Sequence, residues 1–160
     1  HGKPWHRRGN LDAQGLYKGR AADAVIQRYE RRIAEIKPMI DEVELHPLLS
    51  ETELRDYCKE KNIQIMAYTS TARLDFRLRA SKRMEKVCKE TGKTLSQIIL
   101  RWHIQNGIIP IFNTSTIKHF KDNMDVFDFN LSNEQMKIID SMNINARTRY
   151  DSDNCEWDRL

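Results

Sequence analysis

The sequence predicts an α/β fold in which parallel βα units build an open sheet of about three strands with flanking helices. Three observations predict it. Short segments of β-forming residues alternate with longer segments of helical periodicity, the pattern of βα units joined by right-handed crossovers. The segment NIQIMAYT (62–69) is nearly all apolar at its end, which fits a parallel strand covered on both faces. The chain has 160 residues, whereas a complete eight-fold β/α barrel usually needs about 250. Three strands cannot close a barrel, so the expectation is an open half-barrel or a small three-layer sheet.

The first regular element is a helix over 22–37, where Val25, Ile26, Tyr29, Ile33 and Ile36 recur at three- and four-residue steps and Pro38 ends the run. MIDEVEL (39–45) follows as a strand that His46 and Pro47 stop. SETE (50–53) reads as a capping box with Ser50 at the N-cap and Glu53 three residues on. Leu54, Tyr57 and Cys58 form the inward face of that helix. The second strand, 62–69, leads into a linker up to Phe76.

Two helices are expected next, over about 78–91 and 95–106, separated by Gly92 and with Thr94 as N-cap of the second. IIPIF (108–112) is the third strand, and Pro110 places it at an edge or under strain. A short helix runs from Thr116 to Met124. SNEQ (132–135) is another capping box, opening a helix to about Met142, and the tail 145–160 is polar and aromatic.

Composition excludes several functions. No apolar run approaches the ~18 residues of a membrane span. Cys58, Cys88 and Cys155 are an odd count without CxxC spacing, against a disulfide framework or a zinc site and in favour of reduced thiols in a cytoplasmic protein. No signal-peptide pattern opens the chain, and it starts at His1 rather than Met, which fits a fragment or a processed product.

The 27 Lys and Arg against 23 Asp and Glu give a net charge of +4. All of that excess lies in residues 1–37, with nine basic and four acidic residues. Residues 1–19 hold four of the six glycines and no apolar period, so they read as an irregular basic segment ahead of a domain over 20–160. Trp5, His6, Arg7 and Arg8 suit a nucleic-acid contact, but no binding motif accompanies them and a solvated tail is the simpler reading.

Three segments carry a family resemblance. VELHPLLSETELRDYCKEKNIQIMAYT, KVCKETGKTLSQIILRWHIQNGIIPI and FKDNMDVFDFNLSNEQMKIIDSMN, taken in this order and spacing, resemble the C-terminal half of an aldo-keto reductase from about Lys37 to Asn143. IQRYERRIAEIKPMI resembles the helix before that family's sixth strand. NINARTRYDSDNCEW resembles the tail of some bacterial, diketogulonate-reductase-like members. The resemblance implies part of a TIM (β/α)8 barrel and a parent enzyme that reduces aldehydes and ketones with NADPH. It also implies a proton-donating tyrosine assisted by lysine, histidine and aspartate. Those four lie in the family's N-terminal half, and the motifs that carry them do not occur here. His6 and Tyr17 sit in no matching motif, so no catalytic residue is assigned.

What the resemblance does carry over is the cofactor side. Tyr68 matches the tyrosine that stacks on the nicotinamide, and on residues alone the alternative is a core or interface tyrosine. Thr69 keeps a hydroxyl where the family has serine. Asn123 matches an asparagine that contacts adenine, and on residues alone is a helix-end residue. Asp41 and Glu42 replace the asparagine and glutamine beside the carboxamide, and an ionised carboxylate accepts but cannot donate. The family's Ser-Asn after the fifth strand falls near Ala22 and Asp23.

Asn113 and Thr114 stand for the lysine and serine that hold the adenosine phosphate, and His119 stands for an arginine. Two fixed cations are thereby lost, so NADP is expected to bind less tightly and the preference over NAD is open. Thr114, Ser115 and Thr116 still offer hydroxyls to a phosphate. The alternatives are a non-catalytic half-barrel that binds a nucleotide or a protein, and a basic interaction module using 1–37. Exposed sheet edges predict self-association. His46 reads as a strand-end residue rather than a metal ligand.

Overall fold

Among the described residues, three short parallel strands form a sheet in the order β1-β2-β3. The computed structural model describes residues 38–149, of which Met39–Arg149 form one compact unit. The expected basic segment 1–19, the helix 22–37, Ala22, Asp23 and the end of the tail lie outside the described residues.

β1 (Ile40–Glu44) and β2 (Gln64–Tyr68) pair in parallel from Ile40 opposite Gln64 to Glu44 opposite Tyr68. β3 (Ile109–Pro110) adds to β2 at Met66 and Ala67. The expected strand 108–112 is therefore shorter. Pro110 has no N–H for the ladder, and the last bond is Ile111 N–H to Ala67 O at 2.8 Å. β3 is an edge strand, as Pro110 predicted.

The helices follow the expected order with two corrections. α1 (Thr52–Lys61) does not start at Ser50. Its N-cap is Glu51, in the left-handed region at φ 44° and with no side-chain cap. The Ser50 N–H, which Glu53 would accept in a capping box, is taken by Asn143 Oδ1 at 3.2 Å, and the Ser50 hydroxyl lies 3.2 Å from the side-chain Oγ1 of Thr52. Asn62 closes α1 at φ 55°, a conformation asparagine tolerates well.

The single helix expected over 78–91 is two. α2 (Phe76–Arg79) stops, and Ser81 caps α3 (Lys82–Thr91) by accepting from Met84 N–H. Gly92 ends α3 at φ +68°.

α4 (Leu95–Gln105) opens with a complete capping box of Thr94 and Gln97. α5 (Ile117–Met124) is capped by Thr116, and α6 (Asn133–Asp140) by the Ser132–Gln135 box. α4 is the central helix of the core: Ile98, Ile99, Leu100, Trp102 and His103 are buried on it, against Leu45, Leu78, Met84, Val87 and Ile139. Each such apolar side chain contributes roughly 1.5–3 kcal/mol by leaving water.

Candidate functional site

Alternation along the strands sorts the candidate residues onto two faces. Leu45, Ile65 and Ala67 are buried beneath the helices. Asp41 lies on that side too: Cys58 Sγ of α1 donates to its carboxylate at 3.9 Å. Burial pushes the Asp41 carboxyl above its ordinary value, partly offset by that contact. Glu42, Glu44, Met66 and Tyr68 alternate with these residues and occupy the other face. The structure thus groups Glu42 with Tyr68 and leaves Asp41 on the opposite side of the sheet.

Tyr68 is the last residue of β2, half-buried, and opposite Glu44. Burial pushes its phenol pKa up and the Glu44 charge adds to this, while Arg147 and Arg149 pull the other way. It is a neutral aromatic plate at the C-terminal end of a parallel strand. That end is where open α/β sheets and β/α barrels bind their ligands.

Thr69 follows at φ 51°, an outlier conformation for a β-branched residue. Its carbonyl accepts from Ala72 N–H at 2.7 Å, opening a loop in which Ala72, Arg73 and Leu74 also have positive φ. Ser70 Oγ donates to Ile111 O at 2.6 Å and ties that loop to the end of β3.

Sequence reasoning missed the most enclosed part of this rim. Glu44 is 1% exposed and His46 is fully buried. The Glu44 carboxylate accepts from Thr148 N–H at 2.7 Å, Thr148 Oγ1 at 2.6 Å and Arg149 N–H at 3.3 Å, and lies 3.2 Å from His46 Nε2. Burial alone would raise its pKa, but the Thr148 and His46 contacts outweigh burial and leave it below the ordinary carboxylate value. The signal available in sequence was an acid between Val43 and Leu45 in an otherwise apolar strand end. Burial in turn pushes the His46 imidazole down, against the pull of Glu44.

The remaining candidates lie at α5. Asn113 and His119 are exposed and Thr114 is partly so; Thr114 Oγ1 accepts from Thr116 N–H at 3.4 Å, folding the approach to the helix. Asn123, near the C-terminal end of α5, accepts from Ser96 Oγ at 2.9 Å. It also lines an apolar groove of about 310 Å³ with Leu100, Ile108, Phe112, Met124 and Phe127. The structure therefore separates the candidates into a rim at Tyr68 and a second group along α5. Among the described residues no cluster of His, Cys, Asp and Glu could hold a metal ion.

A profile of the aldo/keto reductase family matches residues 20–144. The chain belongs to that family. It is 39% identical over 114 residues to the glyoxal reductase of Bacillus subtilis, covering 71% of this chain and 41% of that protein. It is 37% identical over 123 residues to an aldo-keto reductase family 1 member A1-A of Danio rerio, covering 72% and 38%.

Among solved structures, MGS-M4, an aldo-keto reductase from a deep-sea metagenome library, superposes with a TM-score of 0.76 at 37% identity over 81% of this chain and 48% of that one. An aldo-keto reductase (AKR2E5) solved with NADPH gives 0.70 at 25% identity, over 78% and 41%. The chain spans less than half the length of these relatives. Its three parallel strands and flanking helices are part of the family's TIM barrel.

Proposed function

We propose that this chain supplies the cofactor-holding half of an NAD(P)H-dependent carbonyl reductase and lacks the aspartate, tyrosine, lysine and histidine that move the proton in the family. The observation that carries this reading is the half-buried, neutral Tyr68 ring at the C-terminal end of β2, on the face of the sheet opposite Ile65 and Ala67. The residues present fit a nicotinamide nucleotide: an aromatic plate for the ring, the Thr69 hydroxyl and Glu42 on its flank, and the Asn123 amide for adenine. Asn113, Thr114 and His119 at the start of α5 face the adenosine phosphate without a fixed cation.

When bound, the nucleotide supplies a hydride to a small-molecule carbonyl. Tyr68 orients the ring by stacking, and the polar groups on α5 fix the adenosine end. The basis for leaving catalytic residues unassigned is that the motifs bearing the tetrad do not occur in the sequence. The free thiols of Cys58 and Cys88 support a cytoplasmic location.

Fluorescence titration with NADPH and with NADH tests the reading. Saturable micromolar binding is expected, weakened about fivefold by Tyr68→Ala, since aromatic stacking contributes about 1 kcal/mol. Binding of neither nucleotide to a folded chain overturns it.

A second reading, a non-catalytic half-barrel that binds a nucleotide or a protein and self-associates, rests on the outer strands. Met39 is 73% exposed and Ile40 53% at β1, and Ile109 is 44% exposed and Ile111 38% at β3. Apolar edges of this kind favour association. Light scattering across a concentration series is expected to show growth in mass; a constant monomer mass ends this reading.

A further inference from the structure

The segment after α6 is bonded along the rim that carries Tyr68. Ile144 N–H and Ala146 N–H both donate to Leu48 O, at 3.2 and 3.0 Å. Asn143 Oδ1 accepts from Ser50 N–H and from Asn145 N–H, and Arg147 Nη2 donates to Glu51 at 3.0 Å. Asn145 sits at φ 52°, where the backbone reverses. The described residues of the segment then reach Glu44, which takes both polar groups of Thr148 and the N–H of Arg149. Glu44 is the cross-strand neighbour of Tyr68. One fully buried carboxylate therefore joins the end of β1 to a strap running beside the tyrosine.

The sheet does not need that carboxylate. The β1–β2 ladder is made by backbone groups, and an acid in an apolar strand is costly to bury unless donors meet it. The donors that meet Glu44 come from the strap and from His46. Charge-assisted bonds to backbone N–H groups are about twice as strong as neutral ones, so Glu44 and the Arg147–Glu51 ion pair are charged anchors of the strap, and Glu44 is the fully buried one of the two.

We propose that Glu44 is a positioning residue for the Tyr68 site: it latches residues 143–149 as the wall beside the ring, and a ligand stacked on Tyr68 holds that wall shut. The second half of this statement rests on the cofactor reading above, and the latch itself does not. Arg147 and Arg149 lie in the strap and are trypsin sites, so opening of the wall is read directly as cleavage there. Cleavage of a transiently opened segment follows the population of the open form.

The experiment uses the full 160-residue chain with limiting trypsin, following cleavage after Arg147 and Arg149 by mass spectrometry. Lys86 and Lys89 on α3 serve as the control for general unfolding. Glu44→Gln is expected to speed strap cleavage about tenfold and Thr148→Val several-fold, with cleavage at α3 unchanged. Saturating NADPH is expected to slow strap cleavage in the unsubstituted chain and much less in Glu44→Gln.

Strap cleavage at the same rate in all three proteins overturns the latch. So does a Glu44→Gln chain whose α3 sites open in parallel, together with a Thr148→Val chain indistinguishable from the original. NADPH that binds by fluorescence without slowing cleavage overturns the closure. NADPH that does not bind at all removes the cofactor reading and the closure with it, while the ligand-free rates still decide the latch.

Discussion

Trp102 Nε1 donates to Asp140 Oδ1 at 2.8 Å, joining the central helix α4 to the end of α6. The indole is fully buried, with the Arg55 guanidinium 5.7 Å from its centroid. A hydrogen bond to a charged acceptor contributes about 1.5–3 kcal/mol, and trimming the indole leaves a void as well. Trp102→Phe is therefore expected to lower stability by about 3 kcal/mol in urea denaturation. Asp140→Asn, which keeps an acceptor, should cost about 1 kcal/mol. Equal losses would mean that the carboxylate charge, rather than the indole and its packing, carries the link.

His103 makes stability depend on pH in a defined window. Its ring is fully buried, with Nδ1 2.8 Å from Ile99 O and Nε2 3.1 Å from Leu45 O. Burial pushes its pKa down to about 4, although both carbonyls favour the protonated ring. The unfolded chain therefore binds a proton near pH 6.5 that the folded chain refuses. The stabilisation is complete above pH 6.5, is lost as pH falls toward 4, and amounts to about 3 kcal/mol. His46, also lowered by burial, adds with the same sign. Urea midpoints measured from pH 7.5 to 5 should fall, and His103→Gln should flatten the slope. An unchanged slope in that variant would assign the effect elsewhere.

Much of the fold was legible because its signals are local. The N-cap at Thr94 and the box at Ser132 with Gln135 are signals within four residues, and both formed, Thr94 with Gln97 as a full box that was not expected. The box at Ser50 failed because Asn143, 93 positions away, claims the serine N–H. The break between α2 and α3 was carried by Ser81, a cap inside a run that otherwise keeps helical period. At the site, Tyr68 was legible as the end of an apolar strand. The burial of Glu44 was not, because its donors Thr148 and Arg149 lie 104 and 105 positions away. Alternation separates Asp41 from Glu42 in any strand, but which of them faces α1 is decided by the packing of Cys58.

Thr69 carries strain where the cofactor ring is proposed to sit. A β-branched residue at φ 51° costs about 1–2 kcal/mol relative to an asparagine or glycine there. Thr69→Asn is expected to raise stability by about 1 kcal/mol and to weaken NADPH binding by removing the hydroxyl beside Tyr68. Thermal and urea unfolding give the first quantity and titration the second. A stability gain without loss of binding would detach Thr69 from the cofactor site.

Cys58 is expected to be inert in the folded chain. It is fully buried, and burial together with the neighbouring Asp41 charge pushes its thiol up to about 11. Iodoacetamide reacts with the thiolate, which is scarce at that pKa and shielded besides. At pH 8 the modification of Cys58, followed by peptide mass, should proceed only at the rate of unfolding and become fast in urea. Rapid native labelling would show that α1 opens away from the sheet.

On the placement proposed above, the choice between NADPH and NADH turns on two positions, one before and one within the first turn of α5. Asn113 and His119 are exposed, so larger cationic side chains enter there without repacking the core. Each new exposed ion pair with a phosphate contributes up to about 1 kcal/mol, and arginine adds a paired geometry. Asn113→Lys with His119→Arg is therefore expected to tighten NADPH about tenfold at low salt. NADH, which has no 2′-phosphate, should change little. The gain should shrink as salt rises, because both groups are open to solvent and screened. A parallel gain for both nucleotides would place the new charges on the pyrophosphate instead. No gain for either would mean that the adenosine end does not lie against α5, and the roles proposed for Asn113, Thr114, His119 and Asn123 would fall together while that of Tyr68 stands on its own titration.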